Sequence, residues 1–367
     1  MKIFQVINVR WYNATAWYAV ELSRLLAEAG HEVLVLTQEG TPPERRAMDL
    51  GLHVQSVDLN TSNPARLAAA TAHITKLLRS HRPDIVNCHR GEGFFIWGAL
   101  KALGFPFKLV RTRGDQRLPK SDPLNRWLHA SVADSVIVTN KRMASHFLNR
   151  MKTPEKQLWL IHGGIDSDRF SFDGEGRKRV RAEFGFTDET TVVGLLGRFD
   201  HVKGQRDLIR AVASLRDQGR KDIALLFIGA DSATSGTEIE GWLRDTGIEG
   251  CTAISGWRED VSSCISALDL GVCASLWSEA IARSALEIMS CGVPLVSSRV
   301  GVMPDLVSEN GLYHPGNITE LASLIEQATR GPLRKTLRDA QERTISQLSN
   351  AEFLRRTETV YEGLLSG

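Results

Sequence analysis

The chain is poor in cysteine, close to electrically neutral and without a long apolar run. Each shortage excludes something. Five cysteines, Cys88, Cys251, Cys264, Cys273 and Cys291, are odd in number and widely spaced among 367 residues. That pattern excludes a disulfide frame and a clustered zinc site, and predicts free, mostly buried thiols in a reducing compartment. Lys and Arg total 45 against 43 Asp and Glu, for a net charge of +2. With no dense basic stripe and no RNA-reading signature, nothing points to nucleic acid. No segment approaches the roughly 18 apolar residues of a membrane span. The apolar stretch of "MKIFQVINVR" is too short for a signal peptide and reads as a first strand. A cytoplasmic protein is expected, with a peripheral membrane contact left open.

A hydrophobic content of 42% and a charged content of 24% are those of a globular protein. At roughly 100–200 residues per domain the length favours two domains. Short β-branched runs alternate with longer helical patterns. The first set of strands is "KIFQVINV", "EVLVLT", "DIVNC", "FKLVR", "SVIVT" and "QLWLIH"; the second is "TVVGLLG", "IALLFIG", "TAIS", "DLGVCA" and "PLVSS". Near-continuous apolar strands separated by helices predict buried parallel sheets with crossover helices, so the fold class is α/β with two doubly wound domains. The polar, Gly-rich segment 163–190 lies between the two sets and marks the boundary. The first strand-to-helix turn, "NVRWYNATAWYAVE", lacks Gly-x-Gly-x-x-Gly, which argues against a nicotinamide or flavin enzyme. Its aromatic residues Trp11, Tyr12, Trp17 and Tyr18 read either as the packed face of a helix or as an amphipathic lip at the sheet edge.

Two stretches carry chemistry. In "LLGRFDHVKGQRDLIRA" a buried strand ends at Gly197, and a helix begins near Gly204. Arg198 and Lys203 flank that loop, at the edge where α/β sheets bind ligands. Two cations beside a helix N-terminus would clamp a diphosphate and stabilise it on departure. The alternative is two solvated basic residues in a loop. In "SEAIARSALEIMSCG", Ser278 is the expected N-cap, which places Glu279 in the first helical turn and Glu287 eight residues on. That spacing is about 12 Å of rise and ~80° of rotation. It is too wide for an acid–base pair on one bond and suits two ends of one extended polar ligand. The alternative is a dipole-favoured glutamate plus a structural ion pair.

Taken together and in order, these motifs resemble the retaining family-four glycosyltransferases of the GT-B fold. The resemblance rests on Gly197-Arg198, Lys203-Gly204, Glu279, Glu287 and "CGVPLVSS", supported by "GGIDSDRF" and "GWREDVSSCISALDLGVCASLWSE". It is dense from about residue 160 to 315. Before that it rests on "ELSRLLAEAGHEVLVLT" and "RPDIVNCH". It implies two Rossmann-like domains facing across a cleft. Residues 1–168 and a returning C-terminal helix at about 350–367 would bind the acceptor; residues 169–349 would bind a nucleotide-sugar donor. Arg198 and Lys203 would hold the donor phosphates, Glu279 the sugar hydroxyls and Glu287 the ribose. The backbone around Trp257-Arg258 would cradle the base, although Trp257 also reads as a packing residue. No cofactor and no metal are implied.

Departures from the family pattern are informative. After Glu279 the family usually has x-Phe-Gly, where this chain has Ala280-Ile281-Ala282 followed by Arg283. Arg283 reads either as a contact to an anionic substrate or as an ion-pair partner of a nearby carboxylate. The family's Gly-Gly after the first strand is replaced by Asn13-Ala14-Thr15. Its histidine after the fifth strand is replaced by Gly114 within "LVRTRGDQRLP". Asn13, Thr15, His89, Arg111, Arg113 and Asp115 are therefore the acceptor-side candidates, with His89 equally readable as a structural residue. The runs "SEAIARSALE" and "LVRTRGD" look like bacterial enzymes of lipopolysaccharide and surface-glycan assembly, implying a saccharide or lipid-linked acceptor at the inner membrane. Two rivals stay open: a sugar-nucleotide epimerase or phosphorylase on the same fold, and a non-catalytic sugar-nucleotide-binding protein.

Overall fold

The computed structural model describes residues 1–367. Thirteen strands form two sheets in which every strand pair is parallel. Parallel neighbours need a crossover between them, and helices fill that role in both halves. The chain divides into two units, Met1–Gly164 with Asn350–Gly367, and Ile165–Ser349. The second unit thus begins four residues before the boundary placed at 168/169 from sequence.

The first unit holds β1 (Lys2–Ile7), β2 (Glu32–Thr37), β3 (His53–Ser56), β4 (Ile85–Cys88), β5 (Lys108–Arg113), β6 (Ser135–Val138) and β7 (Leu158–Leu160). Their spatial order is β3-β2-β1-β4-β5-β6-β7. Helix α1 (Ala14–Glu28) starts where Asn13 Oδ1 accepts the Ala16 N–H at 3.1 Å. Helix α2 (Phe94–Ala102) follows β4. One face of the sheet packs Val86, Leu109 and Val136 against Trp97, Leu100 and Leu128.

The second unit holds β8 (Thr191–Leu196), β9 (Ile223–Ile228), β10 (Thr252–Ile254), β11 (Leu270–Cys273), β12 (Leu295–Ser298) and β13 (Leu312–Tyr313), in the order β10-β9-β8-β11-β12-β13. Helix α3 (Gln205–Asp217) places Leu208, Ile209 and Val212 over one face of this sheet. Helix α4 (Arg283–Ser290) places Leu286 and Met289 over the other. Cover on both faces explains why these strands are continuously apolar rather than alternating. The chain enters and leaves this unit side by side, with the Ile165 N–H donating to Leu348 O at 2.8 Å and Ile165 bridged to Ser349.

Two strands are missing from the sequence reading. Both β3 and β13 are edge strands. The first is largely exposed and carries "HVQS"; the second is two residues long. The first shows no apolar run because it is polar and exposed, and the second is too short to show any pattern.

Helix α5 (Asn350–Ser366) completes the first unit. Phe353 meets the Tyr18 ring at 4.7 Å. The buried Tyr361 hydroxyl accepts from Asn87 Nδ2 at 2.8 Å and Gln5 Nε2 at 3.4 Å. Both amides are fully buried, where solvent does not reach them. Tyr361→Phe should therefore cost about 2 kcal/mol, the penalty for stranding buried donors. Urea unfolding of the full chain measures it, and amide exchange should quicken first in β1 and β4.

Candidate functional site

The second sheet reverses its direction of growth between β8 and β11. At such a point the loops leaving the two strands part and open a crevice at the C-terminal edge. Gly197 leaves β8 with φ +148°, its N–H donating to Ile228 O at 2.9 Å. A short turn, His201–Lys203, follows, started by Asp200 Oδ1 accepting the Val202 N–H at 3.1 Å. Gly204 then begins α3 with φ +71°, and a Cβ there would stand 2.0 Å from Ala274 O. Only glycine lets the loop press so closely on the exit of β11.

That approach delivers Lys203 to Glu279. Lys203 Nζ and Glu279 Oε1 are 2.5 Å apart, and Ser275 Oγ donates to the same oxygen at 2.5 Å. Glu279 is 5% exposed, so its charge is balanced by these two groups rather than by solvent. Burial pulls the Lys203 ammonium down, but Glu279 pulls it up further, and its pKa ends above the ordinary value. Burial, with Glu279 next, pushes the Cys273 thiol up to about 12, so this cysteine stays protonated behind the carboxylate.

Glu279 does not lie on a helix. Helix α4 starts at Arg283, and Ser278 does not cap it. Ile281 and Ala282 are drawn into the core beneath the loop, and the chain turns into α4 through Ala282 at φ +55°. The helical spacing argument therefore fails, since only Glu287 rides on the helix. A left-handed alanine costs about 1 kcal/mol or more. Ala282 thus adopts the conformation that glycine would adopt freely.

Glu287, 4% exposed, accepts from Arg283 Nε at 2.6 Å. Burial raises its pKa, and Arg283 opposes the rise without cancelling it. Of the two readings of Arg283, the ion pair with a nearby carboxylate is the one present. Arg198 is separate from Lys203 in its bonding: its side chain is 62% exposed and meets Asp200 Oδ2 at 2.8 Å. Each of the two expected phosphate cations thus faces a carboxylate. Trp257, on the loop after β10, is 74% exposed and is not a packing residue. Arg258 beside it turns to Glu183 at 2.7 Å and Asp260 at 2.8 Å.

In the first unit the acceptor-side candidates are engaged internally. Asn13 caps α1, and Thr15 Oγ1 donates to Gly114 O at 3.1 Å. Arg113 meets Asp115 at 2.8 Å and Arg117 O at 2.7 Å. His89 is wholly buried against Gln5 Oε1 at 2.7 Å, and burial with help from Arg111 pushes its pKa down to about 3. It is a neutral core residue and is not presented to a ligand. Tyr18 is buried, its hydroxyl donating to Ile161 O at 3.2 Å, whereas Trp11 stands exposed. The aromatic quartet is therefore split between core and surface. Ser275 and Asp200 were not found from sequence. Only their neighbourhood, just after a buried strand, marks them.

The family model for Glycosyl transferases group 1 matches residues 176–347, and that for Glycosyltransferase Family 4 matches residues 15–169. The 2-deoxystreptamine glucosyltransferase of Streptomyces kanamyceticus is 25% identical over 350 residues, covering 85% of this chain and 89% of the relative. Among solved structures, Anabaena HepE in complex with UDP superposes with a TM-score of 0.83 at 18% identity, over 99% of this chain and 100% of that one. WaaG, a glycosyltransferase involved in lipopolysaccharide biosynthesis, superposes with a TM-score of 0.69 at 17% identity over 100% of both chains. At such identities the structural likeness concerns the fold.

The Lys203–Glu279 contact makes a stability prediction. Lys203→Met leaves a charged Glu279 nearly buried and should cost about 2 kcal/mol, moderated because the Lys203 side chain is 21% exposed. Adding Glu279→Gln should recover at least half of that loss. A double-mutant cycle by urea titration checks it; strictly additive effects would contradict the coupling.

Proposed function

Because the chain belongs to the family-four glycosyltransferases of the GT-B fold, we propose that it moves a sugar from a nucleotide diphosphate sugar to a saccharide or lipid-linked acceptor, with retention. The observation that carries this reading is the Lys203–Glu279–Ser275 assembly at the reversal point of the second sheet. A diphosphate at that edge meets Lys203, the exposed guanidinium of Arg198 and the N-terminus of α4. Lys203 exchanges its carboxylate for a phosphate oxygen. Glu279, still held by Ser275, accepts donor-sugar hydroxyls, and Glu287 accepts those of the ribose. The backbone at Gly197, Ile281 and Ala282 borders the donor, and the exposed Trp257 borders its base.

The bond from the sugar to the diphosphate breaks with its electron pair leaving on phosphate, where Lys203 and Arg198 stabilise the charge. An acceptor hydroxyl attacks from the face that the diphosphate vacates, and its proton passes to the departing phosphate oxygen. No side chain is assigned as a nucleophile, and these cations supply the charge that a divalent ion would otherwise bring. The UDP held by HepE and the pathway of WaaG support trying uridine donors first and surface-glycan acceptors, with the protein working in the cytoplasm at the inner membrane.

Thermal shifts against uridine, guanosine and adenosine diphosphate sugars, without metal, test the donor half. One base should raise the midpoint, and Glu287→Ala should weaken that binding about tenfold, the worth of ~1.4 kcal/mol. Glu279→Ala should lower turnover about 100-fold with little change in donor affinity. Unchanged binding and turnover in both variants would remove the assignment.

A further inference from the structure

The first unit contains a buried guanidinium that makes no ion pair, Asp115 and Glu92 acting on it only at a distance. Arg111 lies on β5 and is fully buried. Its Nη1 donates to Cys88 O at 2.6 Å and Thr112 O at 2.7 Å, and its Cζ stands 5.4 Å from the Phe94 ring centre. Its Nε and Nη2 have no partner. The neighbouring cations are paired, Arg90 with Glu92 at 2.7 Å and Arg113 with Asp115 at 2.8 Å. Removing a guanidinium from water without a counter-charge is costly, and two carbonyls and a ring face offset only part of it.

Among the unsatisfied atoms around it donors outnumber acceptors, the acceptors being His89 Nδ1 and His129 Nε2 of two neutral rings. Arg113 Nε, two residues along the same strand, also lacks a partner, so three donor atoms from two guanidinium groups await an acceptor. The His129 ring, 5.1 Å from Phe94, turns Nδ1 to Asn125 O at 2.8 Å and leaves Nε2 unpartnered. Burial, then Arg111, pushes its pKa down to about 3, so it adds no positive charge. A surplus of donors is what a negatively charged oxygen group satisfies.

The position suits a ligand. A Cβ on Gly91 would lie 4.0 Å from Arg111 Nη2, and Gly91 is exposed, so the unpartnered nitrogen lies just beneath the surface turn that follows β4. Helix α2 begins after Gly93 with no side chain capping it, and its dipole adds positive potential at the same turn. Strand β4 stands beside β1 where the first sheet reverses its order.

We infer that the β4–α2 turn over Arg111 binds an anionic group, a carboxylate or a phosphate, and that the acceptor carries this group. The second half rests on the transferase reading above. It makes the acceptor a sugar acid, a sugar phosphate or a lipid-linked phosphate rather than a neutral saccharide.

The test uses the full chain at low ionic strength. Inorganic phosphate and malonate are titrated separately while the melting midpoint is followed, with potassium chloride at matched ionic strength as control. One of the two should give a saturable rise of roughly 2–4 °C beyond chloride. Preference for phosphate or for malonate identifies the group. The rise should vanish in Arg111→Lys and in Gly91→Ala, which places a methyl over Nη2 at a position whose φ is not left-handed. It should persist in Lys203→Ala, which separates it from the donor's phosphate contacts. A rise equal to that of chloride, one kept in Gly91→Ala, or one lost in Lys203→Ala would each overturn the site. Should Arg111→Lys fail to fold, Gly91→Ala decides. With the donor identified above, paired acceptors, each acid or phosphate against its neutral parent, test the second half. The charged member should turn over at least tenfold faster, and that advantage should fall in Gly91→Ala. Equal rates would overturn the acceptor claim while leaving donor binding, measured separately, intact.

Discussion

A parallel sheet must be covered on both faces, and the chain can cover both only by reversing the direction in which it adds strands. In each unit that reversal happens once, between β1 and β4 and between β8 and β11. The loops on either side of it diverge, since their helices lie on opposite faces. The charge arrangements described above lie at or beside these two places. In the second unit the loops after β8 and β11 carry opposite charges and close on each other through Lys203 and Glu279. In the first unit the turn after β4 covers an arginine with nothing to close on.

The two places show two ways of holding charge away from water. Glu279 and Glu287 are almost wholly buried, yet each has a cation within 2.6 Å. Such pairs offset part of the cost of burying the carboxylates. Arg111 has only dipoles and a ring face. The same low-dielectric surroundings that make this expensive would make an incoming anion bind strongly.

The sheets were largely legible because buried parallel strands are continuous apolar runs. The exceptions are β3, which is polar and exposed, and β13, which at two residues is too short to show a pattern. Lys203 and Glu279 were legible as residues but not as partners, since they are 76 positions apart and meet only through Gly204. The helix containing Glu287 was legible, but its start was not. Ser278 has the chemistry of a cap, and the burial of Ile281 and Ala282 overrides it. Where related chains usually have glycine, Ala282 keeps a left-handed backbone with φ +55°. The conformation is thus set by the surrounding packing rather than by residue type. Asn13, Thr15, His89, Arg113 and Asp115 have the right chemistry for ligand contact, and local hydrogen bonds that no spacing reveals use it internally.

The side-by-side passage of the chain at Ile165 and Ser349 makes the second unit an insertion into the first. Helix α5 belongs to the first unit, yet Tyr361 is 356 positions from its partner Gln5. During synthesis all seven strands of the first sheet leave the ribosome long before the helix that completes them. Gln5 and Asn87 wait without their acceptor while the whole second unit emerges. The second unit, whose two ends meet, needs no residue beyond Ser349 to close. Vectorial translation thus presents the whole second unit before the helix that completes the first.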